Sequence, residues 1–386
     1  MRQQATLPHA VRYGPLYKES GYSAKSAAEA TVSHRILVIN PGSTSTKLAV
    51  YDDEKEVLTK SLAHPAKEIA GYALVADQFE MRKEQVLSFL RENGFDAGQL
   101  SAVVGRGGML PPVKSGAYLV NEAMVKRLRF NPVMEHASNL GALIAYEIAK
   151  SIGVNAYIYD SVKVDEMIDV ARVTGVPEIQ RNSVSHVLNS RAMAMKCAAA
   201  KGMAYDAVRI VVAHLGGGIS VTLHDHGRLA DVIPDTEGPF SPERCGRVAA
   251  VDLAELCYSG KYDRAGMRKH LRGNGGIKAY LGTEDIRDVL QKSADGDAQA
   301  SLLLDAMCYQ VAKGIGELAT VVCGKVDFIV LTGGIAYSDL ITSKIKERVR
   351  FIAPVEVLPG ENEMESLAKG TLRVLRGEEQ AHNYCE

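Results

Sequence analysis

The clearest pattern of hydrophobic and polar positions occurs twice along the chain. One copy, RILVINPGSTSTKLAVYDDEKEVL, begins at Arg35, and the other, RIVVAHLGGGISVTLHDHGRLADV, begins at Arg209. The two copies align without a gap at an offset of 174 residues. In each, an arginine precedes a run of aliphatic and β-branched residues, which is typical of a buried strand. A turn of small residues, a second strand, a polar turn and a third strand follow, so the pattern predicts the same strand unit in each half.

Other segments alternate between strand and helix patterns, which indicates the α/β class. Together with the repeat, they predict two similar α/β lobes, residues 34–184 and 185–386, with a cleft between them. We expect a last helix near residues 363–377 to pack back on the first lobe. The predicted strands are Ala102–Val104, Ala117–Val120, Ala156–Asp160 and Phe328–Leu331, and the predicted helices are Glu135–Ile152, Ser185–Lys201, Ala298–Val322 and Ser338–Arg350.

The first 33 residues have a different composition. They are polar, lack a strong period and contain Gly, Pro and Ser, which favours a poorly ordered N-terminal extension. A transit peptide is the weaker alternative, and translation starting near Val32 is a third. We expect deletion of residues 1–31 to leave turnover intact.

Composition excludes several classes of function. The formal net charge is −1, so no basic field would attract nucleic acid or an anionic membrane surface. Trp is absent, and no apolar run approaches the ~20 residues that a membrane helix needs. The six cysteines form no C-x-x-C pair, which favours free thiols in a reducing compartment and hence a cytoplasmic protein.

The turns of the repeat are candidate phosphate sites. Small residues let backbone N–H groups approach an anion closely, and two such loops could grip a polyphosphate from both sides. The alternative is that each turn is only a tight hairpin turn, but two turns in matching register favour phosphate binding. Thr332-Gly333-Gly334, after another predicted strand, forms a third such loop. A Walker loop and a G-x-G-x-x-G fingerprint are both absent, so a nucleotide would be bound by another device.

In this order, the segments resemble the acetokinase family, the acetate, propionate and butyrate kinases. INPGSTSTK at 39–47 is similar to its first phosphate loop, HLGGGIS at 214–220 to its second, and TGGIAYS at 332–338 and GTEDIRDV at 282–289 to its adenosine segments. The resemblance covers about residues 35–375. It implies two ribonuclease H-like lobes of the actin, hexokinase and heat-shock ATPase type. NPGSTSTK, the glycines after Arg106 and EGPFSPER at 237–244 favour the butyrate kinase branch.

The resemblance implies four catalytic residues. Arg106 would hold the substrate carboxylate bidentately, and Arg244 would stabilise the migrating phosphoryl group, with Arg247 close enough in sequence to leave the register open. Asp160 would orient the reactants or organise the metal, and His186 would hydrogen-bond the transition state. Read alone, Asp160 could cap a turn and His186 could be structural.

Further positions would bind the ligands. The implied acid site comprises Arg106, His136, Asn139 and Pro242. The implied nucleotide site comprises Ser43, Thr44, Lys47, His214, Leu215, Gly216, Gly217, Gly218, Asp285, Ile286, Arg287, Gly333, Gly334 and Ile335. Asn40 and Glu363 would serve Mg²⁺ through water, although Glu361 and Glu365 lie near enough in sequence to leave that register open. For Lys47, an exposed strand lysine is the alternative.

We therefore expect reversible, direct in-line phosphoryl transfer between ATP and butanoate, as in short-chain fatty acid metabolism and fermentation. The carboxylate is already anionic and needs no general base. A branched-chain (2-methylpropanoate) kinase is the alternative within the class. A regulatory ATPase is a weaker one, since no residues remain for a peptide-binding domain, and an actin-like filament protein would leave the arginines unexplained. The resemblance also implies a homo-oligomer.

Overall fold

The computed structural model describes residues 33–385, so the predicted N-terminal extension lies, apart from Ser33, outside the described residues. The strands are β1 (Arg35–Pro41), β2 (Ser45–Asp52), β3 (Lys55–Ala63), β4 (Ala102–Arg106), β5 (Ala117–Leu119), β6 (Asn155–Tyr159), β7 (Arg209–Leu215), β8 (Ile219–Asp225), β9 (Arg228–Ile233), β10 (Phe328–Gly333), β11 (Val355–Pro359) and β12 (His382–Asn383). The α-helices are α1 (Ala66–Ile69), α2 (Phe79–Glu92), α3 (Glu122–Phe130), α4 (Asn139–Ile152), α5 (Asp169–Arg172), α6 (Val187–Ala200), α7 (Ala250–Tyr258), α8 (Arg264–Leu271), α9 (Gly276–Leu281), α10 (Ile286–Ala294), α11 (Ala298–Val321), α12 (Asp339–Val349) and α13 (Glu363–Leu375).

Two sheets repeat one arrangement. The first has the order β12-β5-β6-β4-β1-β2-β3 and the second β11-β10-β7-β8-β9. In each, the first strand of the repeat pairs antiparallel with the next strand and parallel with a later one. Ile36 lies opposite Ala102 on β4, and Ile210, 174 residues after Ile36, lies opposite Phe328 on β10. The predicted α/β class and duplicated lobes are therefore confirmed.

The duplication extends to side chains but not to the length of the turn. Arg35 bonds Asp52 at 2.7 Å, and Arg209 bonds Asp225 at 2.8 Å, at the base of each hairpin. In the first hairpin Asn40 lies opposite Lys47. In the second, His214 lies opposite Ser220, which is one residue nearer along the chain. The gapless sequence alignment therefore misplaces the cross-strand partners by one residue after the turn.

Each sheet is covered by helices on both faces. The first sheet packs α2, α3 and α4 on one face and α13 on the other, where Leu367 and Leu372 share a buried cluster with Ile36. The second packs α11 and α12 on one face and α6 on the other. Each fully buried aliphatic side chain contributes roughly 1.5–3 kcal/mol. The C-terminal α13 thus brings Glu363, its first residue, to the edge of the first sheet; the lobe boundary at 184/185 stays a prediction.

Helix boundaries agree with expectation except at the start of α4. Helix α4 begins at Asn139 rather than Glu135, since the preceding residues form a turn with a His136–Ser138 hydrogen bond. Helix α7, which lies outside the predicted helices, is rich in apolar residues yet buries none of them. Across the described range, no helix combines the length and the apolarity needed to cross a bilayer.

Candidate active site

The first loop, residues 42–44, connects β1 to β2 and is anchored by a side chain that sequence reasoning missed. Arg82 on α2 is 1% exposed and donates to the carbonyl oxygens of Gly42 at 2.9 Å and Ser43 at 3.2 Å. The side chains of Ser43 and Thr44 remain exposed. The detectable signal was an arginine on the otherwise apolar face of an amphipathic helix, beside Phe79 and Val86.

At the end of β1 and β4, three predicted residues meet. Asn40 Nδ2 donates to Glu363 Oε2 at 2.8 Å, and Arg106 Nη1 contacts the other oxygen of the same carboxylate. Burial alone would raise the pKa of Glu363, but the charge and hydrogen bonds of Arg106 and Asn40 outweigh it, so the pKa is lowered. Glu363 is therefore an ionised carboxylate at neutral pH. Lys47, exposed and opposite Asn40 on β2, adds a positive charge that favours the same state.

The second loop, Gly216, Gly217 and Gly218, is packed too tightly for side chains at one end. A Cβ on Gly218 would lie 2.9 Å from Asp235 Oδ2, while one on exposed Gly217 would meet Glu243 at 3.3 Å. Ser241 donates its hydroxyl to the carbonyl of Gly217 at 2.5 Å. Close packing against the two carboxylates and the Ser241 hydrogen bond therefore hold this loop. Leu215, just before it, is buried at the end of β7.

Two stacked histidines lie beside the second loop. The rings of His186 and His214 are 3.9 Å apart and nearly parallel, and His186 Nδ1 lies 2.9 Å from the Ser220 hydroxyl. Burial lowers the pKa of His186 to about 4, and Arg106 acts in the same direction. Burial, His186 and Arg106 hold the pKa of His214 well below its usual value. Both rings are therefore neutral at pH 7, and Arg106 of the first sheet lies within electrostatic range of both.

Arg244 lies on the same side of the second sheet. Its Nε donates to Asp235 Oδ2 at 3.1 Å and its Nη1 to Glu243 at 2.5 Å. Its charge also acts on His186. Arg247, the alternative in the sequence register, instead pairs with Glu317 at 2.9 Å on the outer surface. The geometry favours Arg244 as the arginine of the site.

The turn that carries Arg244 is held by backbone hydrogen bonds. The buried Pro242 accepts a hydrogen bond from Lys278 N at 2.9 Å, and Arg244 bridges Arg272 through the backbone. Arg272, which sequence reasoning also missed, reaches the same Asp235 oxygen at 3.4 Å. No sequence pattern distinguishes Arg272 from other surface arginines, because its partner lies 37 residues away.

The two predicted acid-site residues on the first sheet's side have different environments. Partial burial and the charges of Arg106 and Arg272 lower the pKa of His136. The ring therefore lies within electrostatic range of both arginines. Asn139 is 4% exposed and saturated: its oxygen accepts from Met109 N at 2.7 Å and its nitrogen donates to the Met134 carbonyl at 3.0 Å. It ties two loops together, so any effect on the acid would act through their placement.

Asp160 follows Tyr159, which lies opposite Arg106 on the neighbouring strand β6, but its carboxylate is bonded to other groups. It is 2% exposed, with φ of 41°, a left-handed conformation that is uncommon for a non-glycine residue. Its carboxylate accepts from Gly116 N at 2.7 Å and Arg191 Nη1 at 3.1 Å. Burial raises its pKa against the pull of Arg191. Within residues 33–385, no hydrogen bond or ion pair joins Asp160 to Arg106, so its catalytic role stays a prediction.

The predicted adenosine segments lie in two places. Gly333 ends β10 with φ of 90°, and a Cβ there would overlap the Leu215 carbonyl at 2.3 Å, so the third loop is pressed against the second. Gly334 is exposed with open space beside it, and Ile335 is buried. Asp285 caps α10 just before Ile286 and pairs with Arg287 at 2.5 Å, on the surface. No described hydrogen bond or ion pair links that pair to the loops.

The oxygen atoms of this site could hold a metal ion only together with the oxygens of a bound ligand. No group of three or more His, Cys, Asp or Glu in the described range is placed to hold a metal by itself. Mg²⁺ commonly keeps several waters and takes one or two carboxylates plus phosphate oxygens. The ionised Glu363, with Asn40 beside it, fits that pattern. The His224-Asp225-His226 run lies at the turn between β8 and β9, where His224 is buried against Tyr205.

Known proteins resemble the chain at two levels. Butyrate kinase 2 of Clostridium acetobutylicum is 49% identical over 352 residues, 91% of this chain and 99% of that protein. Butyrate kinase 1 of the same organism is 48% identical over 353 residues, again 91% and 99%. The acetate kinase of Porphyromonas gingivalis has a solved structure that superposes with a TM-score of 0.74 at 19% identity, over 89% of this chain and all of that one. That structure supports the fold alone.

The sequence profile described as the Acetokinase family matches residues 181–368, which include His186, the second loop and Glu363. With relatives near half identity along almost their whole length, the chain belongs to the acetokinase family.

Proposed function

We propose that this chain is a butyrate kinase, which catalyses the reversible reaction of ATP and butanoate to give ADP and butanoyl phosphate. The observation that carries the proposal is that Arg106, Glu363 and Asn40 meet at the ends of β1 and β4, while the charges of Arg106 and Arg244 both act on His186 beside the second loop. The names of the relatives at 48–49% identity supply the acyl group.

The chemistry needs two anions to be brought together. Arg106 and Arg244, each within range of His186, supply the positive charge for the carboxylate and the transferring phosphoryl group. His186 is neutral and can donate one N–H to a phosphoryl oxygen without adding a charge. The carboxylate attacks the γ-phosphorus in line, the bond to the ADP oxygen breaks, and no protein group becomes covalently attached.

Glu363 has two states in this proposal. In the structure it is bonded to Arg106 and Asn40. Arrival of the acid's carboxylate gives Arg106 an alternative partner, which frees one oxygen of Glu363. Glu363 and Asn40 would then hold a water-bound Mg²⁺, whose charge offsets that of the β- and γ-phosphates. We assign the nucleotide phosphates to the first and second loops, and the adenosine to Gly333, Gly334 and Ile335.

The alternative within the class is a 2-methylpropanoate kinase. Gly107 and Gly108 follow Arg106 and are tightly enclosed: Cβ atoms there would lie 2.7 Å from Ser161 and Asn139. Each buried methylene contributes only ~0.8 kcal/mol, so neighbouring acids differ by small factors. A hydroxamate assay for acyl phosphate, with ATP and Mg²⁺, tests the proposal. Butanoate should give the highest kcat/KM in a panel with acetate, 2-methylpropanoate and pentanoate, whereas no product with any acid would refute acyl transfer.

We also propose a homo-oligomer in which a second copy covers α7. Val251 and Tyr258 on this helix are 75% and 91% exposed, although the helix is rich in apolar residues. Light scattering should give at least a dimer. Val251→Glu with Tyr258→Glu should shift it toward the monomer, and a wild-type monomer at assay concentration would contradict the proposal.

A further inference from the structure

The first loop rests on a buried positive charge that has no counter-ion. Arg82 is 1% exposed, and it forms no ion pair with a carboxylate anywhere in residues 33–385. All its hydrogen-bond partners are neutral: the Gln78 amide oxygen, the carbonyls of Gly42, Ser43 and Ser45, and the Thr46 hydroxyl. A buried charge is costly unless an opposite charge offsets it. The arrangement therefore favours a negative charge that is supplied from outside the chain.

The hydrogen bonds of Arg82 also fix the direction of the loop's backbone. The guanidinium turns the carbonyls of Gly42 and Ser43 inward. Because the C=O and N–H of one peptide unit point in opposite directions, the N–H groups of Ser43 and Thr44 point away from Arg82. Successive N–H groups directed to one side form an anion site. Arg82 thus contributes both long-range charge and local geometry to the same place.

A second buried side chain shares this arrangement. His64 Nε2 lies 2.8 Å from the Thr46 hydroxyl that Arg82 also contacts. Burial lowers the pKa of His64 to about 4, and Arg82 acts in the same direction. The ring therefore stays neutral and can support Thr46 without competing for the anion.

We infer that Arg82 is the positioning residue of the first phosphate loop and that the nucleotide's phosphates are its counter-ion. Arg82 does not touch the ligand. It holds the amides of Ser43 and Thr44 toward the phosphates, and its charge makes the electrostatic potential at the loop positive. This inference deepens the proposed function and rests on it only for the identity of the ligand as a nucleoside di- or triphosphate.

The test compares Arg82→Met and Arg82→Lys with Arg91→Met, a control on the same helix, where Arg91 is 63% exposed. Calorimetry on the full chain gives Kd for ADP with Mg²⁺, and steady-state assays give KM for ATP and for butanoate. We expect Arg82→Met to raise the ADP Kd and the ATP KM at least tenfold, with the butanoate KM changed less than threefold. Arg82→Lys keeps the charge but loses the fork and should fall between. Arg91→Met should match the wild type.

Two results would overturn the inference: a folded Arg82→Met protein whose ADP Kd is within twofold of wild type, or equal losses in both substrates. If Arg82→Met does not fold, Arg82→Lys decides by the same criteria. ADP binding is measured without the acid, so the two proposals fail separately. If Arg82→Met weakens ADP binding but the wild-type chain phosphorylates no acid, the role of Arg82 stands and the proposed kinase activity is refuted.

Discussion

The two hairpin loops come from one duplicated unit, yet they are stabilised in different ways. The first is held from below by Arg82, a buried cation bonded to its carbonyls. In the second, the strands pair one residue closer to the turn, and the loop is held by close packing, with Gly218 against Asp235 and Gly333 against Leu215. The histidines beside it are neutral. The difference indicates that the first loop depends on a buried cation, whereas the second depends on close packing against Asp235, a carboxylate that is paired with Arg244.

The largest effect should come from the charge at the edge of the first sheet. Arg106→Ala removes the group that contacts Glu363 and acts on His186. Turnover should fall by about 10³-fold or more, since a donor that stabilises transition-state charge typically accounts for 10²–10³. Acyl-phosphate assays measure the loss, and circular dichroism should show an intact fold. A variant that retains a tenth of wild-type turnover would remove Arg106 from the reaction.

The second-largest effect should come from the arginine of the second half. Arg244→Ala should lower kcat about 10²-fold, because Arg244 lies with Asp235 beside His186. Arg247→Ala is the matched control, since Arg247 pairs with Glu317 on the surface. Its kcat should stay within about twofold of wild type, a difference of ~0.4 kcal/mol. The reverse ranking would exchange the two assignments.

A smaller effect should distinguish packing from charge within the second loop. Gly218→Ala places a methyl group 2.9 Å from Asp235 Oδ2 and should displace the carboxylate that orients Arg244. We expect kcat to drop about tenfold, ~1.4 kcal/mol. In Gly217→Ala, the added methyl group meets only the flexible end of Glu243 at 3.3 Å. The loss of activation free energy should be less than a third of that in Gly218→Ala. Equal losses in the two variants would argue against a rigid wall formed by Asp235.

The smallest effect concerns stability against pH. Burial lowers the pKa of His64 and His186 to about 4 and of His224 to about 3. Below about pH 6.5 these histidines bind protons in the unfolded chain but stay neutral in the folded chain. The free energy of unfolding should therefore fall as the pH is lowered from about 6.5 to about 4. Denaturant titration at several pH values should show that stability falls less steeply with pH in His224→Gln than in the wild type. Identical slopes would contradict burial as the cause.

Sequence patterns predicted those features that depend on local periodicity. The paired strand units at Arg35 and Arg209 and the long helices near Ala298 and Asp339 form as expected, because burial imposes periods of two and 3.6 residues. Helix α7 was not predicted; it spans only nine residues, and none of its apolar side chains is buried. The one-residue difference between the hairpins was missed because cross-strand pairing depends on turn geometry, which a gapless alignment ignores.

The candidate site was predictable where a residue follows a strand and less so where partners are distant in sequence. Arg106 and Asn40 end predicted strands, and their meeting with Glu363 required α13 to return to the first sheet. The apolar helix face around Arg82 marked that residue, but its partners and those of Arg272 lie tens of residues away, where no local pattern points. Asp160 lies one residue beyond the end of β6 rather than at its end, and its contacts are with Arg191 and Gly116. Its role in the reaction stays a prediction.

A crystal structure of the full chain with a non-hydrolysable ATP analogue, Mg²⁺ and butanoate tests the central claim most directly. The account predicts that the terminal phosphates lie between the Ser43–Thr44 amides and Gly216–Gly218, with the acid's carboxylate on Arg106 and Glu363 released from it. A nucleotide bound away from either loop, or butanoate with no contact to Arg106, would contradict the account.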